Sequence, residues 1–147
     1  MQRTLVILKP DSLKRAITKI IYRLEEKGLK LVCKMAMLDE NILKEHYSHI
    51  ADKPFFIVRF MTSAPVILQV WEGKDAIEVV RLMAVTNSRQ AQPGTIRDFS
   101  MSISNVIHAS ENLEAANVEI DRFFDDNDIY SYKRADENYI YSEDERN

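Results

Sequence analysis

Glycine is scarce in this chain of 147 residues. It occurs three times, at Gly28, Gly73 and Gly94, where average usage of roughly 7% would give about ten. A Walker A loop or a G-x-G-x-x-G turn needs several glycines within a few residues. Neither can be written here, so any phosphate must be held by side chains and helix ends. Cysteine occurs once, as Cys33, which excludes a disulfide framework and points to a reducing compartment. No apolar run approaches the roughly 18 residues of a membrane span. The early TLVIL is too short for a signal peptide, so a cytoplasmic protein without membrane contact is expected. An excess of positive charge is also missing. The net charge of −3 argues against nucleic acid as a partner and requires any polyanion site to be a local cluster. The zinc spacings H-E-x-x-H and C-x-x-C are absent, as is the G-x-S-x-G of serine hydrolases.

What is present is enough apolar sequence for one domain with a real core. TLVILK (4–9) reads as a buried strand, closed by Pro10-Asp11-Ser12. Residues 13–27 place Leu13, Ala16, Ile17, Ile20, Ile21 and Leu24 on a helical stripe, with Gly28 as its C-terminal stop. LKLVCKMAML (29–38) reads as a second strand. Asp39 starts a helix with Ile42, Leu43, His46 and Tyr47 on one face. FFIVRFM (55–61) fits helix or strand. VILQVW (66–71) is a strand ended by Glu72-Gly73, and 74–84 a helix. Residues 85–104, with Arg89, Arg97 and Pro93-Gly94, form a long polar loop of the kind that is often functional. Then come VIH, a helix from about 111 capped by Ser110, and IDRFF (120–124) as a last strand. The acidic, tyrosine-rich tail follows from about 125, with its last six residues expected to fray. Strands and helices in this order favour a small α+β sandwich, with helices on one face of one sheet, over a doubly wound fold.

His108 is the residue with most chemical promise. It sits between apolar Val106-Ile107 and small Ala109-Ser110. A helix start beside it would welcome an anion. Glu119, early in the expected last strand, could fold back to hydrogen-bond one ring nitrogen and leave the other as a nucleophile. The alternative is a buried histidine bonded to a backbone carbonyl; these residues alone leave both open. Lys9, Arg81 and Arg97 are candidate phosphate ligands, since guanidinium forks match phosphate oxygens. Lys9 stands out, because a lysine at the end of a buried strand needs an anion. Of Phe55 and Phe56, one could pack inward and the other offer a stacking face. His46 and His49 are read as helix-surface residues, not a zinc pair.

Together the segments RTLVILKPD, HYSHIADKPFF, SAPVILQVWEG, TNSRQAQPGTIRDF and NVIHASE resemble nucleoside diphosphate kinase. The resemblance runs from Arg3 to about Phe124. It implies a ferredoxin-like βαββαβ sandwich, an antiparallel four-stranded sheet with helices packed on it, over a single domain of residues 1–147. It further implies that His108 takes the γ-phosphoryl group of a nucleoside triphosphate and passes it to a nucleoside diphosphate by a ping-pong route. Glu119 would orient His108, with the Ser110 hydroxyl beside it. Lys9, Tyr47, Arg81, Thr86 and Arg97 would bind phosphates, Asn105 the ribose, and Phe55 would stack on the base. Mg²⁺ would enter mainly through the nucleotide phosphates, and the chain would assemble as a homo-oligomer, a hexamer or tetramer. The departures are KPDS for KPDG, the lost glycine in PGTIRDF, and a shorter segment between Arg97 and Asn105, where Ile103 takes the place of the family's apolar residue. A non-catalytic nucleotide-binding or assembly module of the same fold is the competing reading; it would be signalled by loss of His108 or its cations, and neither is lost.

Overall fold

The computed structural model describes residues 1–15, 17–36, 38–48, 54–84, 91–99 and 106–145. Four strands make one antiparallel sheet: β1 (Gln2–Leu8), β2 (Lys30–Ala36), β3 (Val66–Gly73) and β4 (Ile107–Ala109), in the spatial order β2-β3-β1-β4. The helices are α1 (Pro10–Arg15), α2 (Ile17–Glu26), α3 (Glu40–His46), α4 (Pro54–Met61), α5 (Ala76–Ala84), α6 (Leu113–Phe123) and α7 (Glu137–Ile140). The expected antiparallel ferredoxin-like sheet is therefore present.

Its two faces are both covered, contrary to the one-sided sandwich read from element order. On β1, Val6 and Leu8 join a core with Ile20 and Leu24 of α2 and Ala76 and Val80 of α5. Leu5 and Ile7 point the other way, to Leu43 of α3, Met61 of α4 and Ile120 and Phe123 of α6. Strand β3 divides likewise, Ile67 and Trp71 to the first core and Val66, Leu68 and Val70 to the second. Side chains alternate across a strand, so an unbroken apolar run such as TLVIL requires cover on both faces. The sequence carried that signal.

Other differences have local causes. The helix expected over 13–27 begins earlier, at Pro10, and the chain is helical over Pro10–Arg15 and Ile17–Glu26, on either side of Ala16, which lies outside the described residues. FFIVRFM is helical. IDRFF is no strand: Ala116, Glu119, Ile120 and Phe123 are the buried residues of α6, a helical spacing. The cap of α6 is Asn112, whose side chain accepts from the Ala115 N–H at 2.8 Å, so Ser110 has no capping role. Asp39 does cap α3, accepting from Asn41 and Ile42.

The tail is bonded to the body of the fold at Tyr132, which accepts from the Leu31 N–H at 3.2 Å. Of the last six residues, expected to fray, Glu145 pairs with Lys74 at 2.5 Å, and Arg146 and Asn147 lie outside the described residues. Ile140 of α7 sits on Gly28, which has φ +94°, and a Cβ built there would lie 2.6 Å from Ile140 Cγ2. Gly28→Ala is therefore expected to cost about 1–3 kcal/mol, from left-handed backbone strain and the displaced isoleucine. Urea unfolding checks this; an unchanged midpoint contradicts it.

Candidate active site

Strand β4 is three residues long, and it presents His108 beside β1, paired opposite Ile7. The residue that turns the chain into β4 is Val106, with φ +56°, a strained conformation for a β-branched side chain. Three contacts hold it. Its N–H donates to Asp11 Oδ2 at 3.1 Å, its carbonyl accepts from the Lys9 N–H at 2.9 Å, and its side chain is buried. Such strain persists only where the surroundings over-determine it, and it clusters at functional sites. The turn after β1, Lys9 to Asp11, thus fixes the entry of His108.

The His108 ring is bonded to α6. Its Nε2 lies 3.1 Å from Glu119 Oε2, and the Ser110 hydroxyl donates to that oxygen at 2.6 Å while accepting from the Leu5 N–H at 3.1 Å. Burial pushes the Glu119 carboxyl up. The hydrogen bond of His108, the Ser110 hydroxyl and the charges that His108 and His46 carry at acidic pH, where both rings are protonated, more than offset this, leaving it below the ordinary carboxylate range. An ionised Glu119 accepts only, so Nε2 carries the proton and Nδ1 keeps its lone pair. This partner is a side-chain carboxylate, as the first sequence reading of His108 expects, and not the backbone carbonyl of the second.

His108 lines a cleft of about 560 Å³ together with His46, Arg81, Arg97, Glu119 and Arg122. Arg81 comes from α5, and Arg97 from a short 3-10 turn, Ile96–Phe99. One Arg97 nitrogen donates to the Ile107 carbonyl at 3.2 Å. Burial and then the neighbouring Arg81 hold its pKa below the usual value. The two guanidiniums therefore repel, and an anion between them would offset that repulsion.

Lys9 is lowered to about 8, by burial first and Arg97 second, with Asp11 opposing. Tyr47 is buried, its ring centroid 6.4 Å from that of His108. Burial and then Glu119 push its phenol well above the usual value. Its hydroxyl has no hydrogen-bond partner among the described residues, a costly arrangement that a ligand oxygen would relieve.

The structure brings His108, Glu119, Ser110, Arg81, Arg97 and Tyr47 together, with Lys9 at the base of the β4 turn. Thr86 and Asn105 lie outside the described residues, as do Arg89, Ile103 and His49. Phe55 lies in α4 with its side chain outside what is described; its neighbour Phe56 is 69% exposed. His46 is not the surface residue expected: it is 3% exposed, its ring centroid 4.7 Å from that of His108. Arg122 and Asp11 were also missed. For His46 the signal existed, because it shares a helical face with Ile42, Leu43 and Tyr47.

The chain is similar to known proteins over most of its length. The family model described as nucleoside diphosphate kinase matches residues 2–129. A nucleoside diphosphate kinase of Parabacteroides distasonis is 49% identical, covering 99% of both chains. Among solved structures, a halophilic nucleoside diphosphate kinase from Halobacterium salinarum in complex with CDP is similar at a TM-score of 0.89 and 43% identity, covering 96% of this chain and 99% of that one. A transition state mimic of the Borrelia burgdorferi nucleoside-diphosphate kinase, with bound vanadate and ADP, is similar at 0.81 and 41% identity, over 92% and 94% of the two chains. By family match, identity over nearly the whole chain, and fold, this chain belongs to the nucleoside diphosphate kinase family.

Proposed function

We propose that this family member moves the γ-phosphoryl group of a nucleoside triphosphate onto His108 Nδ1 and then onto a nucleoside diphosphate entering the same cleft. The observation that carries this is the Glu119–His108 bond at 3.1 Å, which commits Nε2 and leaves Nδ1 as the nucleophile. In the first half-reaction the Nδ1–P bond forms as the P–O bond to the leaving diphosphate breaks. The Nε2 proton stays on the ring, where ionised Glu119 stabilises the developing positive charge. In the second half-reaction the acceptor's terminal oxygen displaces Nδ1. Catalysis of this kind is positioning plus electrostatics, which suits Arg81 and Arg97 flanking the nucleophile.

In the same reading Lys9, Tyr47 and Thr86 contact phosphates, Asn105 the ribose, and Phe55 the base. Mg²⁺ requires oxygen ligands. On the cleft's carboxylates, Glu119 is taken by His108 and Ser110, and Glu45 by Arg122. Exposed Glu111 on the cleft wall fits an ion that arrives on the nucleotide and is mainly phosphate-bound. When bound, such an ion neutralises phosphate charge. The reading takes the chain as one domain with an extension from about 125, assembled as a homo-oligomer, hexamer or tetramer, in the cytoplasm. For the described residues, no helix is long and apolar enough to cross a membrane.

The test is the initial-velocity pattern. Varying ATP at several fixed concentrations of a second nucleoside diphosphate is expected to give parallel double-reciprocal lines. Intersecting lines would rule out the shared phosphoenzyme.

Lys9 adds a pH signature. Its folded pKa of about 8 lies below the unfolded 10.5, so its charged form is penalised on folding and stability rises with pH across that window. A phosphate beside it reverses the penalty. Nucleotide binding near pH 9 is therefore expected to take up a fraction of a proton, read by calorimetry in buffers of different ionisation enthalpy. At pH 6, where Lys9 is already protonated, that uptake is expected to vanish. Equal heats in all buffers at pH 9 would contradict it.

A further inference from the structure

The mechanism leaves one buried histidine without a task. His46 ends α3, and its ring meets three others edge-on: Tyr47 at 4.6 Å, His108 at 4.7 Å and Phe123 at 5.2 Å between centroids. Its Nδ1 lies 3.4 Å from an Arg122 nitrogen. Arg122 is itself gripped by Glu45, through Nε at 3.2 Å and a second nitrogen at 3.0 Å. An arginine only donates. His46 must therefore keep a lone pair on Nδ1, which makes it the neutral Nε2–H tautomer; a protonated ring would set cation against cation.

Ligand atoms of His46, His108 and Glu119 all lie within 4.8 Å of one another, so a metal centre is the first reading to weigh. The Arg122 guanidinium argues against it. A dication held by His46 would have a fixed positive group against the same ring, and Glu119 Oε2 already accepts two hydrogen bonds.

The arrangement serves His108 better. The Glu119 bond at 3.1 Å fixes the position of Nε2 but leaves the ring free to tilt about that contact. In-line transfer needs the Nδ1 lone pair aimed, and misplacement by about 1 Å can cost on the order of 100-fold. We propose that His46 is a positioning residue for the phosphoryl acceptor: its buried ring fixes the tilt of the His108 imidazole, and the Glu45–Arg122 pair fixes the tilt of His46 by occupying Nδ1. The chain Glu45–Arg122–His46 and the chain Ser110–Glu119 thus converge on one imidazole from α3 and α6. This rests on His108 being the acceptor, and no nucleotide contact is assigned to His46.

The test is single-turnover phosphorylation of the full chain by γ-labelled ATP and Mg²⁺ at saturating nucleotide, with ADP affinity measured in parallel. His46→Ala is expected to slow phosphorylation by about 10- to 100-fold with ADP affinity nearly unchanged. His46→Phe keeps a ring without the acceptor and is expected to fall between Ala and the parent. Should His46→Ala fail to fold, Arg122→Met, which keeps the stem and removes the donor, is expected to slow the same step in the same direction. In all folded variants the His108 nitrogen shifts are expected to keep the Nε2–H pattern, because Glu119 is untouched. Parent-like rates in folded His46→Ala or Arg122→Met overturn the proposal. So does a rate loss matched by an equal loss of ADP affinity, or one accompanied by a switched His108 tautomer. Absence of label on the parent protein would instead overturn the phosphohistidine reading, so the two failures are distinguishable.

Discussion

His108→Ala is expected to abolish the phosphoenzyme and lower turnover by on the order of 10⁵- to 10⁶-fold, the scale on which removing a nucleophile acts when other groups cannot replace it. No other described side chain could take over. His46 is committed through Nδ1 to Arg122, and Ser110 gives its proton to Glu119 and takes one from the Leu5 N–H. The fold should tolerate the change. His108 is partly exposed in a short strand, and its backbone pairing with β1 does not depend on the imidazole. Arg81 and Arg97 remain in the cleft, so ADP affinity is expected to stay close to that of the parent. Calorimetry for binding and a coupled assay for turnover separate these effects. Turnover within about tenfold of the parent would mean that the phosphoryl group does not travel through this histidine.

Glu119→Gln is the second large effect, and its cause is a lost charge. The native carboxylate accepts from both Ser110 and His108 through one oxygen, Oε2. In the variant the amide oxygen can take that place and accept both bonds, so the Nε2–H tautomer is kept. What is lost is the negative charge beside the ring, which becomes cationic as Nδ1 takes the phosphoryl group. A loss on the order of 10²- to 10³-fold in phosphorylation rate is expected, the scale on which removing one electrostatic stabiliser of a transition state acts. Nucleotide affinity should change little, and nitrogen shifts of His108 should keep the Nε2–H pattern. Glu119→Asp, which keeps the charge but shortens the reach, should lose less. A Gln variant as fast as the parent would show that charge is not what Glu119 supplies. The pH dependence follows the same logic. Because the folded pKa of Glu119 lies below the ordinary value, its ionised form contributes stability above the usual carboxylate range, and that contribution is lost as pH falls through the lowered value.

Much of this site was legible in the sequence because short-range chemistry wrote it. RTLVILKPD contains both a buried strand and the turn that stops it, and Asp39 and Gly28 cap and close helices by rules local to a few residues. The resemblance then supplied what spacing cannot, that Arg81 and Arg97 share a cleft with one histidine. The errors fell where tertiary context overrides local pattern. Residues 120–124 are apolar and aromatic enough to pass for a strand. Their helical period appears only once Glu119 is counted among the buried residues, and a carboxylate is buried there only because His108 and Ser110 satisfy it. His46 was read as surface because a histidine on a charged helix usually is, although it shares a helical face with Ile42, Leu43 and Tyr47; its ring also packs on His108 and Phe123, distant in sequence. The second covered face of the sheet was visible in TLVIL and was outweighed by element order.

The most direct test is to mix the full chain with Mg²⁺ and γ-labelled ATP without acceptor, follow protein-bound label through acid and base, and then add GDP. The expected result is acid-labile, base-stable label that moves to GDP and is absent in His108→Ala. Folded protein that binds nucleotide yet acquires no label, or label that persists in His108→Ala, would contradict transfer through His108.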